Sequence, residues 1–206
     1  MSTSEANEKT CTSFAGVKMI ATGDLKYVAQ ATKEALDGGE SDFVLIFDDA
    51  TAQPIEIDFR GTAKDVLSRL GETARRSASE SKSDERTKGP GRPKLGVVAR
   101  EITLLPRHWD WLNSQPGGAS VALRKLVDEA RRANVDKDTI RRSQEAAYRF
   151  MSAMAGNLPG FEESTRALFA GNETKFNELT EKWPVDIRRY SQKLASAALR
   201  QGSETL

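Results

Sequence analysis

Two residue types that usually carry metal and redox chemistry are almost missing from this chain of 206 residues: it has one histidine, His108, and one cysteine, Cys11. A single cysteine excludes an internal disulfide framework, and with one histidine no protein-only zinc site is expected. Cys11 reads as a strand residue and not as a nucleophile, because no second histidine exists to activate it. Long apolar runs are missing too. Mean hydropathy is −0.55, and no stretch approaches the roughly 20 residues a helix needs to cross a bilayer. The opening "MSTSEANEKTCTSF" is polar and mixed in charge, without the basic start and apolar centre of a secretion signal. A cytoplasmic protein with no membrane partner is the expectation. No phosphate-binding glycine loop, metal-ligand spacing or nucleophile elbow occurs, so neither an enzyme nor a cofactor is expected.

What is present is charge, unevenly placed. The formal net charge of +1 conceals a segregation: residues 1–73 carry 7 Lys/Arg against 13 Asp/Glu, whereas residues 74–149 carry 17 against 10. Residues 150–206 balance at 7 and 7. Asymmetry of this kind points to separate modules with different partners, although two such modules can also simply neutralise one another.

Residues 1–10 read as a disordered tail and residues 11–72 as an α+β domain. "CTSFAGVKMIATG" suits a strand or hairpin arm, and Asp24 suits the N-cap of a helix carrying Leu25, Val28, Ala29, Thr32, Ala35 and Leu36, stopped at Gly38-Gly39. "DFVLIFDDA" is a run of strand formers. "PIEIDFRG" alternates strictly, with Ile55, Ile57 and Phe59 on one face, and Thr62 caps a further helix with Val66, Leu67 and Leu70. The order β-α-β-β-α predicts a small sandwich, one helical layer against a mostly antiparallel sheet.

Residues 73–94 are dominated by serine and charge and read as a basic flexible linker. Its Gly91-Arg92-Pro93 core, with Lys94, resembles the centre of an AT-hook, in which an arginine lies along a narrow minor groove. Residues 136–200 read as an all-helical C-terminal extension after a short joint at "ANVDKDT". There Asp138 caps a helix with Ile140, Ala147, Met151 and Met154, Asn172 opens another, and Pro184 separates the last two.

The most informative stretch is residues 95–133. "VVAREITLL" has a strand pattern, Pro106 suits a first helical position, and Trp109 and Leu112 share a helix face. "NSQPGG" ends that helix, and "ASVALRKLVDEARR" places Ala119, Leu123, Leu126, Val127 and Ala130 on one side. One strand and two helices of this size cannot bury their apolar face alone; below about 40 residues a domain usually needs a partner. The order carried by "EITLLPRHWDWL…GGASVALRKLVDEA" resembles the ribbon-helix-helix DNA-binding fold. That resemblance implies a homodimer whose paired strands enter the major groove. By register it implies Ile102 and Leu104 inward with Glu101 and Thr103 toward the bases, and Arg100 on the face of Ile102. Arg92, Lys94, Arg100 and Arg107 become phosphate contacts, and the amides of Gly118, Ala119 and Ser120 a phosphate site at a helix start. Taken whole, the chain is similar to a bacterial family known only as domain of unknown function 2239, on "FAG", "VLIFDDAT", "GRPKLGVVAREITLLPRHWDWL", "GGASVALRKLVDEARR" and "FEESTRALFAGN". The likeness spans most of residues 10–199 and implies no activity.

Two functions are therefore weighed. One is a homodimeric regulator that binds double-stranded DNA, its acidic N-terminal domain free to meet a protein partner. The other is an assembly protein in which the strand-helix-helix unit only dimerises. Trp109 and Trp111 could stack on single-stranded nucleic acid, but the favoured reading is a core Trp109 and a half-exposed Trp111. Asp48 and Asp49 stand at a strand end where acid-base or Mg²⁺ chemistry often sits; adjacent strand residues diverge, however, and "DD" commonly makes a turn.

Overall fold

The hairpin at the N-terminus forms because its sequence changes sides every residue and then meets a glycine. In the computed structural model, which describes residues 9–40, 42–72, 98 and 100–200, strands β1 (Thr10–Ala15) and β2 (Lys18–Asp24) pair antiparallel. Gly16 takes φ +50° between them, the conformation a tight hairpin turn asks of its first position. A Cβ there would also meet Asp42 Oδ2 at 2.8 Å, a side-chain end that can move aside, so the positive φ is what asks for glycine. Strand β3 (Val44–Asp48) adds to the other edge of β1, giving the order β2-β1-β3. Between β2 and β3 runs α1 (Leu25–Asp37), whose N-cap Asp24 accepts from the amides of Lys26 and Tyr27 as the sequence suggests.

The expected strand at residues 54–60 is not a strand. Ile55, Ile57 and Phe59 do alternate inward, half-buried, with Glu56, Asp58 and Arg60 outward. The ladder, however, stops after one bridge, Phe47 to Pro54, flanked by two bonds, from the Asp48 amide to the Gln53 carbonyl and from the Ile55 amide to the Ile46 carbonyl. Beyond Ile55 no further bond to β3 forms among the described residues, and Arg69 from the helical residues 63–72 (α2) binds the Asp58 and Arg60 carbonyls.

The remaining helices are α3 (Pro106–Ser114), α4 (Gly118–Met154), α5 (Phe161–Phe169), α6 (Glu173–Thr180) and α7 (Val185–Leu199). The architecture is α+β, helical throughout its C-terminal part. Asn172 caps α6 through the Lys175 amide, and Pro184 precedes α7, both at their anticipated places. The joint at "ANVDKDT" is corrected in one respect: the boundary between two compact units does fall there, between Asp138 and Thr139, but α4 runs unbroken through it and Asp138 lies inside the helix and not at its start. That stretch contains weak helix formers but neither Gly nor Pro, and weak propensity costs only tenths of a kcal/mol per residue.

The described residues fall into two compact units, one of residues 9–72 and 139–200, the other of residues 98–138. The N-terminal sheet and the C-terminal helices, which the sequence suggests as separate regions, thus share one core. On one sheet face Cys11, Ala21 and Ile46 pack with Val28 of α1, backed by Ile55, Ile57 and Phe59. On the other, Phe14 and Phe47 meet Ala147, Phe150 and Met151 of α4 and Ile187, Tyr190 and Leu194 of α7. The sheet is therefore covered on both faces, which explains why Cys11, Thr12, Ser13, Phe14 and Ala15 of β1 are all buried. Four rings lie at its centre, with Phe150 to Tyr190 at 4.6 Å, to Phe47 at 5.1 Å and to Phe14 at 5.3 Å. Several bonds lock the layers: the Met19 amide donates to Asp186 Oδ2 (2.9 Å), Ser143 Oγ to the Leu194 carbonyl (2.6 Å), and Trp183 Nε1 to the Pro159 carbonyl (2.8 Å).

Candidate nucleic-acid interface

Two places in the chain carry residues with chemical potential. The first is the Asp48–Asp49 pair closing β3. Asp48 Oδ1 accepts from the Ala50 and Thr51 amides and from Thr51 Oγ1, which makes it the anchor of a turn. Asp49 points the other way. Its Oδ1 accepts from Thr12 Oγ1 and from the Tyr190 hydroxyl, each at 2.7 Å, and its Oδ2 takes Lys193 Nζ at 2.9 Å. Burial by itself would raise the Asp49 carboxyl, but the Thr12, Lys193 and Tyr190 hydrogen bonds outweigh it and hold it below 3.8. Burial, then the bond to Asp49, pushes the Tyr190 phenol well above its usual range. Burial, reinforced by Asp49, Asp24 and Asp48, raises the Cys11 thiol to about 11. Both Asp49 oxygens are occupied by its own chain, so this cluster ties α7 to the sheet. The pairs lie 37 to 144 residues apart in sequence, which left no local signal by which to find them.

The second place is the unit of residues 98–138. Pro106 opens α3 at its first position as expected, and the helix ends at Gln115. Gly117 and Gly118, at φ +87° and +75°, turn the chain into α4. A Cβ on Gly117 would press on Val121 at 3.1 Å. Within the unit only Leu112 and Ala122 are buried, the point where α3 touches the first turns of α4. Beside that contact lies an open groove of about 290 Å³ lined by Leu104, Arg107, His108, Trp111, Leu112, Leu123 and Leu126. Of fourteen large apolar residues exposed among the described residues, eight are here: Val98, Ile102, Leu105, Trp111, Val121, Leu126, Val127 and Val135.

The site residues expected from sequence are distributed as follows. Arg92 and Lys94 lie outside the described residues. Arg100, Glu101 and Thr103 are exposed on a segment without regular structure, where a strand was expected. A strand exists through its ladder, and no described strand pairs with this segment. Leu104 lines the groove, whereas Ile102 is 50% exposed. Arg107 lines the groove from the first turn of α3. Gly118, Ala119 and Ser120 do form the first turn of α4. The Gly118 amide is not open to a phosphate, however, because it donates to the Gln115 carbonyl at 2.9 Å to close the turn. Trp109 is half-buried and Trp111 is 51% exposed, so the pair is no continuous stacking platform.

No helix among the described residues is long and apolar enough to cross a membrane, and no group of three or more His, Cys, Asp or Glu is disposed to hold a metal ion. No curated protein and no solved structure matches the chain significantly. A family model described as "Uncharacterized protein conserved in bacteria (DUF2239)" matches residues 10–195, nearly the whole sequence. Sheet, groove and all but the last turn of the helical core fall inside that match, and the chain belongs to this bacterial family.

Proposed function

We propose that this protein is a homodimeric DNA-binding protein, a transcriptional regulator, in which residues 98–105 of two copies pair into a ribbon that enters the major groove. One observation carries the reading: the unit of residues 98–138 leaves eight large apolar side chains exposed around an open groove. Patches of that extent mark interaction surfaces. A unit near 40 residues with two buried side chains is half of a core. A second copy supplies the other half and gives residues 100–105 the ladder they lack. The groove admits Trp111 or Leu105 of a symmetric partner, and a two-fold contact is self-complementary by construction. Arg100, Glu101 and Thr103 then stand on the solvent side of the ribbon. Arg100 and Arg107 have no ion-pair partner among the described residues, which suits cations reserved for phosphate.

A second reading, an assembly protein in which this unit only dimerises, is favoured by the Gly118 amide being already engaged. Salt separates the two. A mobility-shift series with random and A·T-rich duplexes should lose affinity steeply between about 50 and 200 mM salt if phosphates are held, with a dimer seen by light scattering. A dimer that ignores duplex at the lowest salt leaves the assembly reading, and a strict monomer at high concentration removes both.

A further inference from the structure

The side of α4 opposite the groove has a different character. Arg124, Lys125, Arg131 and Arg132 are all exposed, and none makes an ion pair among the described residues. That holds although Asp128 lies one helical turn from both Arg124 and Arg132, the spacing at which such pairs ordinarily form. At 3.6 residues per turn these four cations point roughly away from Leu123 and Leu126, which line the groove. A partner closing over the groove leaves them in water.

We infer that this outer stripe of α4 is a second contact surface for the phosphate backbone of duplex DNA, additional to the ribbon. The inference rests on the DNA-binding reading above. The four residues form two pairs seven positions apart, or about 10.5 Å along the axis. That is close to the roughly 12 Å width of the major groove, so the two pairs reach phosphates on its opposite lips. Guanidinium forks suit phosphate oxygens, and three of the four side chains are arginine. An anionic membrane fits less well. A helix lying on lipid carries its cations flanking the apolar face, whereas here the cations and the groove-lining leucines take opposite faces.

The test uses the full chain, a labelled duplex, and fluorescence anisotropy from about 50 to 200 mM salt. Arg131→Glu with Arg132→Glu removes up to four phosphate contacts per dimer. At about 0.9 per contact the slope of log K against log salt should then flatten by up to about 3.6, with affinity down at least about tenfold. Dimer mass and helicity should not change, since both residues are exposed. Asp128→Lys, in the middle of the stripe, should act the other way, tightening binding and steepening the slope. If the wild type binds duplex but both variants keep its affinity and slope, the stripe makes no contact and the ribbon reading survives alone. If the wild type ignores duplex at the lowest salt, reading and inference fall together. Binding of anionic vesicles but not duplex, lost in the double variant, would assign the stripe to lipid and overturn the inference.

Discussion

The unit built from residues 9–72 and 139–200 buries what it has, and the unit of residues 98–138 does not. In the first, aromatic rings, aliphatic side chains and a clamped carboxylate close a sheet on both faces. In the second, two residues are buried and eight large apolar ones are exposed. Composition does not separate them: "ASVALRKLVDEA" of the second unit is no poorer in apolar residues than "FEESTRALFAGN" of the first. What separates them is whether a complementary layer is supplied by the same chain. The helix α4 shows this within one element. Its residues 124–137 are exposed on every side, while Ala146, Ala147, Phe150 and Met151 are buried. A helix exposed all round draws no stability from packing, which is where most helical stability comes from. The contrast is what the proposed second copy would remove.

The strongest way to break the comparison is to excavate the closed unit. Phe150→Ala removes a fully buried ring that touches Phe14, Phe47 and Tyr190. It should cost about 3–5 kcal/mol in urea unfolding. Because those rings come from the N-terminal sheet and from α7, near-UV and far-UV signals should lose stability together. Separate sheet and helix transitions would show that they are not one core.

Leu126→Ala tests the open unit. The side chain is 43% exposed in the single chain and lines the groove, so truncation should leave unfolding of the closed unit unchanged. If a second copy covers it, each side chain contributes part of about 1.5–3 kcal/mol and symmetry counts it twice. The loss is then about 2–3 kcal/mol, a roughly 30- to 150-fold weaker dimer by sedimentation. An unchanged dimer constant moves the interface elsewhere.

These two experiments also mark where the sequence was and was not legible. Local signals survived into the structure: Asp24 and Asn172 as caps, Pro106 at a helix start and the alternation of Ile55, Ile57 and Phe59. Where a pattern needed a distant partner to become structure, it misled. Alternation at residues 54–60 fixed which side chains turn inward but did not guarantee a ladder, which depends on hydrogen bonding to β3. The joint at "ANVDKDT" does mark the boundary between the two units, but the weak helix formers there do not break the helix. Weak propensity shifts a boundary only where no flanking helix carries the chain through, and here α4 does. The groove was half legible: two helices of the right spacing implied an open apolar face, but not that Leu104, Trp111 and Leu126 would line it. Asp49 was seen as half of an acidic pair, and its partners Tyr190 and Lys193 belong to tertiary structure alone.

Asp49→Asn sharpens the closed side of the comparison more finely. The amide keeps an acceptor but loses the charge that Thr12, Tyr190 and Lys193 address, and hydrogen bonds to charged groups contribute about 1.5–3 kcal/mol. A loss of about 2 kcal/mol is expected at neutral pH. Since the folded carboxyl lies below its ordinary 3.8, its contribution is present above that value and lost as pH falls through the folded pKa. The wild type should therefore lose more stability than the variant on acidification below about pH 4. Cys11 titrates in the opposite sense. Its thiol is held to about 11 against an ordinary 9.0, so the unfolded chain releases that proton first. Stability should fall as pH rises from about 9 to 11, and less so in Cys11→Ala.

The smallest effect tests whether the two halves of α4 are energetically joined. Ala133→Gly lies in the exposed segment, where the substitution removes no contact and costs only helix propensity, about 1 kcal/mol. If that segment opens on its own, amide exchange should accelerate at residues near 133 and stay slow around Phe150, whose helical turns are held by the four-ring core. If a second copy covers this segment, the acceleration should shrink at high protein concentration, since a covering partner raises the free energy of local opening there by mass action. Exchange that quickens equally at both ends of α4 would mean that the open unit borrows its order from the closed one, and exposure in residues 124–137 would then no longer call for a second molecule.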